Sequence, residues 1–587
     1  MRHLREWVPE IALVVVTTAA GIWAGGRWLS PMSDAGIWWS LPVRLASGER
    51  LYRDIYLQYG PLSPYLVSWA ARPFGFSASS ILVLSWIPAV VAALLLLRLA
   101  RPFLTTVERL CLAAILIGTG LFAPGLGRLV YPYSPAAVHA LCFALVALLL
   151  VRAPECGGLR GAAAGLLAGL AVCSKQEVGI AAAAALTAGA LVQPRGERRW
   201  LAPCLAAFAV AVAGGAAFVL TSTTLESLKL DNHLWPLAAP PPLWRRLFAM
   251  IAGFAPGLPG RLLSSLRGFA LAASLFALAG LLAARERRTR RLLPVAAVFL
   301  VLLLWDVLDG SLSGRNLGFL HLWMCMAFAV ALWALLDRRR PHRDWLVAFG
   351  VFAGLVGSRS AFSGDLGNPY AGVSHLPGAL ALLLFVFVFL PDAWPGGGPG
   401  ESGEKAVRYT RRAWAFVLLP VVCLGAAIGV VSLRSGGNRP VDTPRGRIWA
   451  GRSAADLYER VGRELRPGER VLSLPEVNAV DALFEARSVS PFVIMMPGSL
   501  DARAEERLIR RFEREPPEVV VVFRRPTWEY GVAPFGQGYG QRLAAWIETH
   551  DRLVASSAAG TIWRRMNEGE GEGGGEGRGA EPAGVVR

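Results

Sequence analysis

The chain reads as a polytopic α-helical membrane protein that ends in a small α/β domain outside the membrane. Three observations predict this. Of 587 residues, 54% are hydrophobic and only 17% charged, against about 25% charged in a soluble globular chain. Apolar stretches of about 20 residues, enough to cross the hydrocarbon of a bilayer, recur as far as residue 433. Beyond Arg434 the pattern changes to short helix and strand periods in alternation.

In chain order, the apolar segments fall at 10–29, 79–98, 108–123, 135–151, 161–174, 178–193, 201–222, 268–284, 292–308, 316–336, 345–360, 376–390 and 414–433. The first resembles a secretory signal, but the many spans behind it make it an uncleaved anchor. Arginine clusters follow alternate segments: Arg98, Arg101 and Arg109, then Arg152 and Arg160, then Arg195, Arg198 and Arg199, then Arg285 to Arg291, then Arg338 to Arg343, then Lys405 to Arg412. With Arg2 and Arg5 they fall on one side if the N-terminus is cytoplasmic and there are about thirteen spans. The formal net charge of +18 is thus topological and does not point to nucleic acid. Four regions lie on the other side: the loop after the first span, Arg128–Ser134, Thr223–Ser265, and everything past Arg434. Segments 161–174 and 178–193 are short for full spans. They are read as a helical hairpin with Lys175 at its outer tip.

After a linker at Ser435-Gly-Gly-Asn-Arg-Pro, the C-terminal region reads as helix Ala454–Leu465, strand Arg470–Leu474, helix Asp501–Arg514, strand Val519–Phe523, helix Gly540–Thr549, and a closing strand pair Arg552–Ser556 with Thr561–Arg565. From Asn567 the chain is rich in Gly and Glu and reads as disordered. The division is 1–433, 434–566 and 567–587. The seven cysteines lie no further than Cys423, with no metal-ligand spacing.

Asp34, just behind the first span, is the leading candidate for chemistry. A carboxylate at a membrane surface can take the proton of an acceptor hydroxyl; the plainer role is to cap a helix starting at Ala35. The run from Gly48 to Leu62 is dense in polar and aromatic groups. Tyr52 and Gln58 are candidate sugar contacts, and Arg53 and Asp54 either pair with each other or flank a phosphate and a sugar. Trp38, Trp39 and Trp69 read as interface anchors. Lys175 is one of only three lysines in a chain of 60 basic residues. An ionisable group between two apolar segments costs a few kcal/mol and marks a functional hypothesis. Its structural alternative is an ion pair with Glu177. Its functional role is an anion site, aided by a helix N-terminus near Val178, with Gln176 and Glu177 beside it. Arg128, Tyr131 and Tyr133, Arg315, and His233 lie on further outer loops; Tyr131, Tyr133 and His233, like Gln176 and Glu177, are candidate acceptor or sugar contacts. His233 alone makes no metal site, and no nucleotide-binding loop or hydrolase motif occurs.

At these residues the chain resembles the GT-C superfamily of integral membrane glycosyltransferases, in particular bacterial members related to protein O-mannosyltransferases and the lipid A aminoarabinose transferase. The resemblance rests on Asp34 in the first outer loop, the Gly48-x-x-Leu-Tyr-Arg-Asp…Gly60-Pro-Leu run, Gly165-Leu-Leu-Ala-Gly-Leu-Ala…Ser174-Lys-Gln, Leu474-Pro-Glu-Val-Asn…Phe484-Glu-Ala-Arg, and the many-span layout with an outer C-terminal domain. Many relatives carry a second acidic residue directly after the catalytic Asp; here Ala35 stands there, and Asp54 is the other source of a carboxylate. The resemblance implies a polyprenyl-phosphate sugar donor and transfer outside the cytoplasm with inversion. It implies Asp34 as base and Lys175, Arg53, Arg128 and Arg315 as candidate phosphate contacts. A lipid, a glycan or a protein would serve as acceptor. The chemistry requires no cofactor, though it admits a divalent cation. The expected location is the inner (plasma) membrane. The rival readings are a transporter or flippase for a lipid-linked glycan, which internal repeats would favour, and a non-catalytic envelope assembly protein.

Overall fold

A computed structural model describes residues 5–27, 31–32, 34–122, 128–131, 134–152, 157–232, 242–246, 318–362, 371–389, 411, 415, 418–420, 422–431, 434, 438–527 and 530–566. The apolar segments become helices: α1 (Val8–Ala24), α4 (Ala78–Ala100), α5 (Thr106–Ile115), α6 (Pro135–Val151), α7 (Gly158–Ser174), α8 (Gln176–Val192), α9 (Leu201–Ser222), α11 (Gly318–Leu336), α12 (Arg343–Phe362) and α13 (Ala371–Leu384). Between them come α2 (Asp34–Ala46), α3 (Leu62–Ala71) and α10 (Leu225–Leu230). The segments 268–284 and 292–308 lie outside the described residues, and 414–433 is described only in part.

Among the described residues, Ala78–Ala100 and Arg195–Ser222 are long and apolar enough to span a bilayer by themselves. Helices α7 and α8 have 17 residues each, about 26 Å at 1.5 Å per residue, at the lower limit for a span. They form the expected hairpin, joined at Lys175. The outer faces are apolar: Val210 is 70% exposed, Phe218 and Leu220 further along α9 are exposed too, and Ile11, Val15 and Ile22 protrude from α1. Exposed apolar side chains of this kind suit a lipid surround. Between helices, small residues permit close approach. A Cβ added at Gly161, Gly165 or Gly169 on α7 would strike Trp200, Cys204 or Ala211 at and along α9, and one at Gly179 would strike the backbone of Val172.

The arginine clusters also build structure. Arg109 Nη1 donates to Glu10 Oε1 at 2.8 Å, and both side chains are buried between α1 and α5. Glu108 closes a capping box with Thr105 and accepts from Arg411 at 2.6 and 2.8 Å. The two carboxylates thus tie the start of α5 to α1 and to Arg411.

The C-terminal region holds β1 (Asn438–Thr443), β2 (Gly446–Gly451), α14 (Arg452–Glu464), β3 (Arg470–Leu474), α15 (Val480–Leu483), β4 (Arg487–Ser488), α16 (Ala502–Arg514), β5 (Val519–Phe523), α17 (Gln541–His550), β6 (Asp551–Ser557) and β7 (Gly560–Arg565). The supposed linker is a strand in part: Asn438, Arg439 and Pro440 open β1, which pairs antiparallel with β2. The main sheet has the order β4-β3-β5-β7-β6, with β3 parallel to β4 and β5, and β7 antiparallel to β5 and β6. Alternation splits its faces. Leu472, Leu474 and Val520 pack with Leu508 and Phe512 of α16 and Leu543 and Ile547 of α17. Val471, Val519, Val521 and Ile562 share a core with Leu457, Tyr458 and Val461 of α14. That second core runs without a break into the membrane helices.

Candidate active site

Asp34 is the first residue of α2 and is 6% exposed. Its seat is made from two sides. Gly36, two residues in, lies so close to the backbone of Pro31, Asn478 and Ala479 that any Cβ there would collide. The C-terminal loop before α15 therefore presses on the start of α2. Further along, Ser40 donates to the buried Asp481 of α15. From the other side, Tyr59 Oη donates to Asp34 Oδ2 at 2.5 Å.

Tyr59 also reaches the hairpin tip. Lys175 Nζ lies 4.9 Å from the centroid of the Tyr59 ring and 3.5 Å from Glu177 Oε1. Gly60 makes this approach possible, because a Cβ there would enter the carbonyl of Cys173, two residues before Lys175. A cation over a phenol face is attracted by the ring quadrupole. Asp34 and Lys175, distant in sequence, thus meet one side chain, Asp34 at the Tyr59 hydroxyl and Lys175 over its ring. Trp38 closes the third side, its ring 5.5 Å from that of Tyr59. Helix α8 starts at Gln176, two residues before the expected point, so Lys175 is itself the residue preceding the helix. Gln176 and Glu177 occupy its first turn.

The loop that carries Tyr59 is held from below by Asn232, which is fully buried. Its Oδ1 accepts from the Leu57 amide at 2.9 Å and its Nδ2 donates to the Tyr52 carbonyl at 3.2 Å. Tyr52 sits at φ 67, and its hydroxyl donates to the Tyr59 carbonyl at 2.6 Å. Burial pushes the Tyr52 phenol well above its ordinary range, so it stays a neutral donor. A non-glycine residue in the left-handed region costs of order 1 kcal/mol, and Tyr131, also at φ 67, shares that feature. Its ring meets Trp39 edge-on at 6.1 Å, and its hydroxyl donates to the Ala35 carbonyl at 3.4 Å. The backbone next to Asp34 is therefore fixed from the Arg128 loop as well. Arg128 itself is half-buried, and desolvation lowers its guanidinium to about 10. Gln58 lies between Leu57 and Tyr59 on the same loop.

Asp54 closes its own turn. Its carboxylate accepts from the Arg50 amide at 2.9 Å and from Arg53 at 2.8 and 3.0 Å. Arg53 holds the Asp54 carboxyl below the usual carboxylate range. Trp38 and Trp39 are not interface anchors: each is 2% exposed and packs on Tyr59 or Tyr131, while Trp69, 56% exposed, keeps an outward position. Tyr133, His233 and Arg315 lie outside the described residues. Sequence reasoning passed over Tyr59 and Asn232. The first is one of several aromatics in an aromatic-rich run, and the second owes its role to contacts 175 and 180 residues away in sequence.

Residues 58–225, which include Tyr59 and Lys175, match the family described as dolichyl-phosphate-mannose-protein mannosyltransferase. No curated protein matches the chain. Among solved structures, ArnT from Cupriavidus metallidurans bound to undecaprenyl phosphate is similar over 96% of this chain and 98% of its own, at 13% identity and a TM-score of 0.51. The same protein in the apo state gives 13% identity and a TM-score of 0.49 over 95% and 97% of the two chains. The mycobacterial arabinofuranosyltransferase AftD gives 13% identity and a TM-score of 0.40, over 94% of this chain and 40% of that one. The family match and the fold shared with undecaprenyl-phosphate-bound ArnT bear out the resemblance to the GT-C superfamily of membrane glycosyltransferases.

Proposed function

We propose that this chain is a membrane glycosyltransferase that takes a sugar from a polyprenyl-phosphate carrier and places it on an acceptor hydroxyl, inverting the anomeric carbon. The observation that carries the reading is the Asp34–Tyr59–Lys175 array, a carboxylate at the hydroxyl and an ammonium over the ring of one tyrosine. The family matched over 58–225 and the fold shared with ArnT support the donor class.

In this mechanism the donor phosphate lies against Lys175 and the acceptor hydroxyl against Asp34. The acceptor oxygen attacks the anomeric carbon from the face opposite the phosphate, and the bond from that carbon to the phosphate oxygen breaks. The phosphate leaves with the electron pair, its charge met by Lys175. The hydroxyl proton goes to the Asp34 carboxylate, worth typically 10²–10⁴-fold. Tyr59 orients Asp34 through its hydroxyl and steadies Lys175 through its ring. Glu177 competes with the phosphate for Lys175 and keeps the ammonium in place when no donor is bound. The leaving charge is met by side chains, so activity is expected to survive a chelator such as EDTA.

The test is to incubate the purified chain with a polyprenyl-phosphate sugar and follow released polyprenyl phosphate. Asp34→Asn keeps the shape and can still accept from the Tyr59 hydroxyl, so it is expected to lose release by 10²-fold or more with its melting temperature retained. Full activity in that variant would sink the assignment of the base. The absence of any release by the wild-type chain across sugar donors would favour the transporter reading.

A further inference from the structure

Away from Asp34, a cleft of about 560 Å³ opens between the loop that carries Tyr59 and α16. Its walls include the rings of Tyr56 and Phe492 and four arginines, Arg507, Arg510, Arg511 and Arg514. Spacings of three, four and seven residues put all four on one face of α16, while Ala504, Leu508 and Phe512 are buried in the sheet core. Among the described residues, no carboxylate lines the cleft. Arg507 is neutralised by Asp231 and Arg510 by Glu506 at 3.1 Å. Arg511 and Arg514 have no carboxylate partner among the described residues. Like charges one turn apart repel. A solvated arginine face needs neither a concave wall nor aromatic rings opposite it.

We propose that this cleft binds an oxyanion-bearing saccharide, a sugar unit carrying phosphate or carboxylate, as part of the acceptor. The proposal rests on the glycosyltransferase reading above. Guanidinium groups take phosphate and carboxylate through paired N–H donors. The rings of Tyr56 and Phe492, edge to face at 4.8 Å, offer apolar surface to a sugar ring. The volume falls within the range of small-molecule sites and admits one or two sugar units. The cleft is also wired to the candidate active site. Tyr56 precedes Tyr59 by three residues, its amide donates to the Pro491 carbonyl at 2.6 Å, and Asp231, the partner of Arg507, adjoins Asn232, which holds Leu57. An acceptor anchored on Arg511 and Arg514 is thereby held in fixed register with the loop that orients Asp34.

The experiment is a ligand-observed NMR titration of the full chain in neutral detergent, without donor, using glucose 6-phosphate, glucuronate, glucose and inorganic phosphate. Saturable binding is expected for both charged sugars, with no binding of glucose and weaker binding of phosphate alone. Arg511→Gln/Arg514→Gln is expected to weaken the charged sugars at least tenfold with an unchanged melting temperature. Arg511→Lys/Arg514→Lys, which keeps the charge and loses the fork, is expected to fall between. Equal binding in wild type and the Gln pair, no binding of either charged sugar, or displacement of both by anionic lipid alone would each overturn the proposal. No donor is present, so this result is independent of whether Asp34→Asn abolishes transfer.

Discussion

Tyr59 touches both Asp34 and Lys175, and its hydroxyl and its ring can be tested apart. Tyr59→Phe keeps the ring under Lys175 and removes the hydrogen bond to Asp34. A hydrogen bond to a charged group is worth about 1.5–3 kcal/mol, so the expected outcome is a 10- to 100-fold fall in kcat with donor affinity retained. Tyr59→Leu removes both and is expected to lower kcat and donor affinity together. Lys175→Met is expected to weaken donor binding about tenfold with the fold intact; unchanged affinity in a direct binding assay would move the phosphate site to Arg53, Arg128 or Arg315. Asp34 and Lys175 were legible in the sequence because each is a charged residue beside apolar segments, where charge is expensive. Tyr59 was not, since an aromatic in an aromatic-rich loop carries no such cost signal. Its meaning comes from Gly60, whose missing side chain lets the loop lie on Cys173.

Among the elements, the Gly60 crossing and the closing strand pair make opposite predictions. Gly60→Ala must push the loop off the hairpin tip. Such overpacking costs typically 1–3 kcal/mol, and the expected outcome is a lowered melting temperature together with lost transfer, whereas a loop remote from the chemistry would lose only stability. Asp551 at the start of β6 is 2% exposed, and burial pushes its carboxyl up to about 6, with Arg565 opposing. The folded state thus holds the proton more tightly than the unfolded chain, whose value is near 3.8. This group's contribution is full below pH 3.8 and is lost as pH rises through 6. Asp551→Asn is expected to stabilise the C-terminal region at pH 7, by of order 2 kcal/mol, and to flatten its stability between pH 4 and 6, read by pH-dependent thermal unfolding of the full chain. Most helices and the strands β3 and β5 were legible from periodicity, because each buries a whole face. The β1–β2 hairpin was not: Pro440 sits inside a strand, Gly-Gly precedes it, and only pairing with β2 makes the segment extended.

For the whole molecule, the arginine pattern predicts a cytoplasmic N-terminus and a C-terminal region outside. A reporter fused after Arg434 is expected to be active only on the extracytoplasmic side; activity in the cytoplasm would reverse the topology. The same arginines carry a second message that charge counting misses. Arg109 pairs with Glu10 and Arg411 with Glu108, so removing one partner leaves a buried charge and is expected to destabilise by about 3–5 kcal/mol.

The tight seat of Gly36 against Asn478 and Ala479 bears on the order in which the protein is made. Synthesis runs from the N-terminus, so Asp34, Tyr59 and Lys175 all enter the membrane hundreds of residues before Asn478 leaves the ribosome. During that interval the start of α2 lacks the surface that fixes it. A chain arrested after Val431 is expected to be inserted with every residue of the array and yet to release no polyprenyl phosphate in the transfer assay, because α2 has no seat. The seat of Asp34 is thus completed only once residues 478 and 479 have been made.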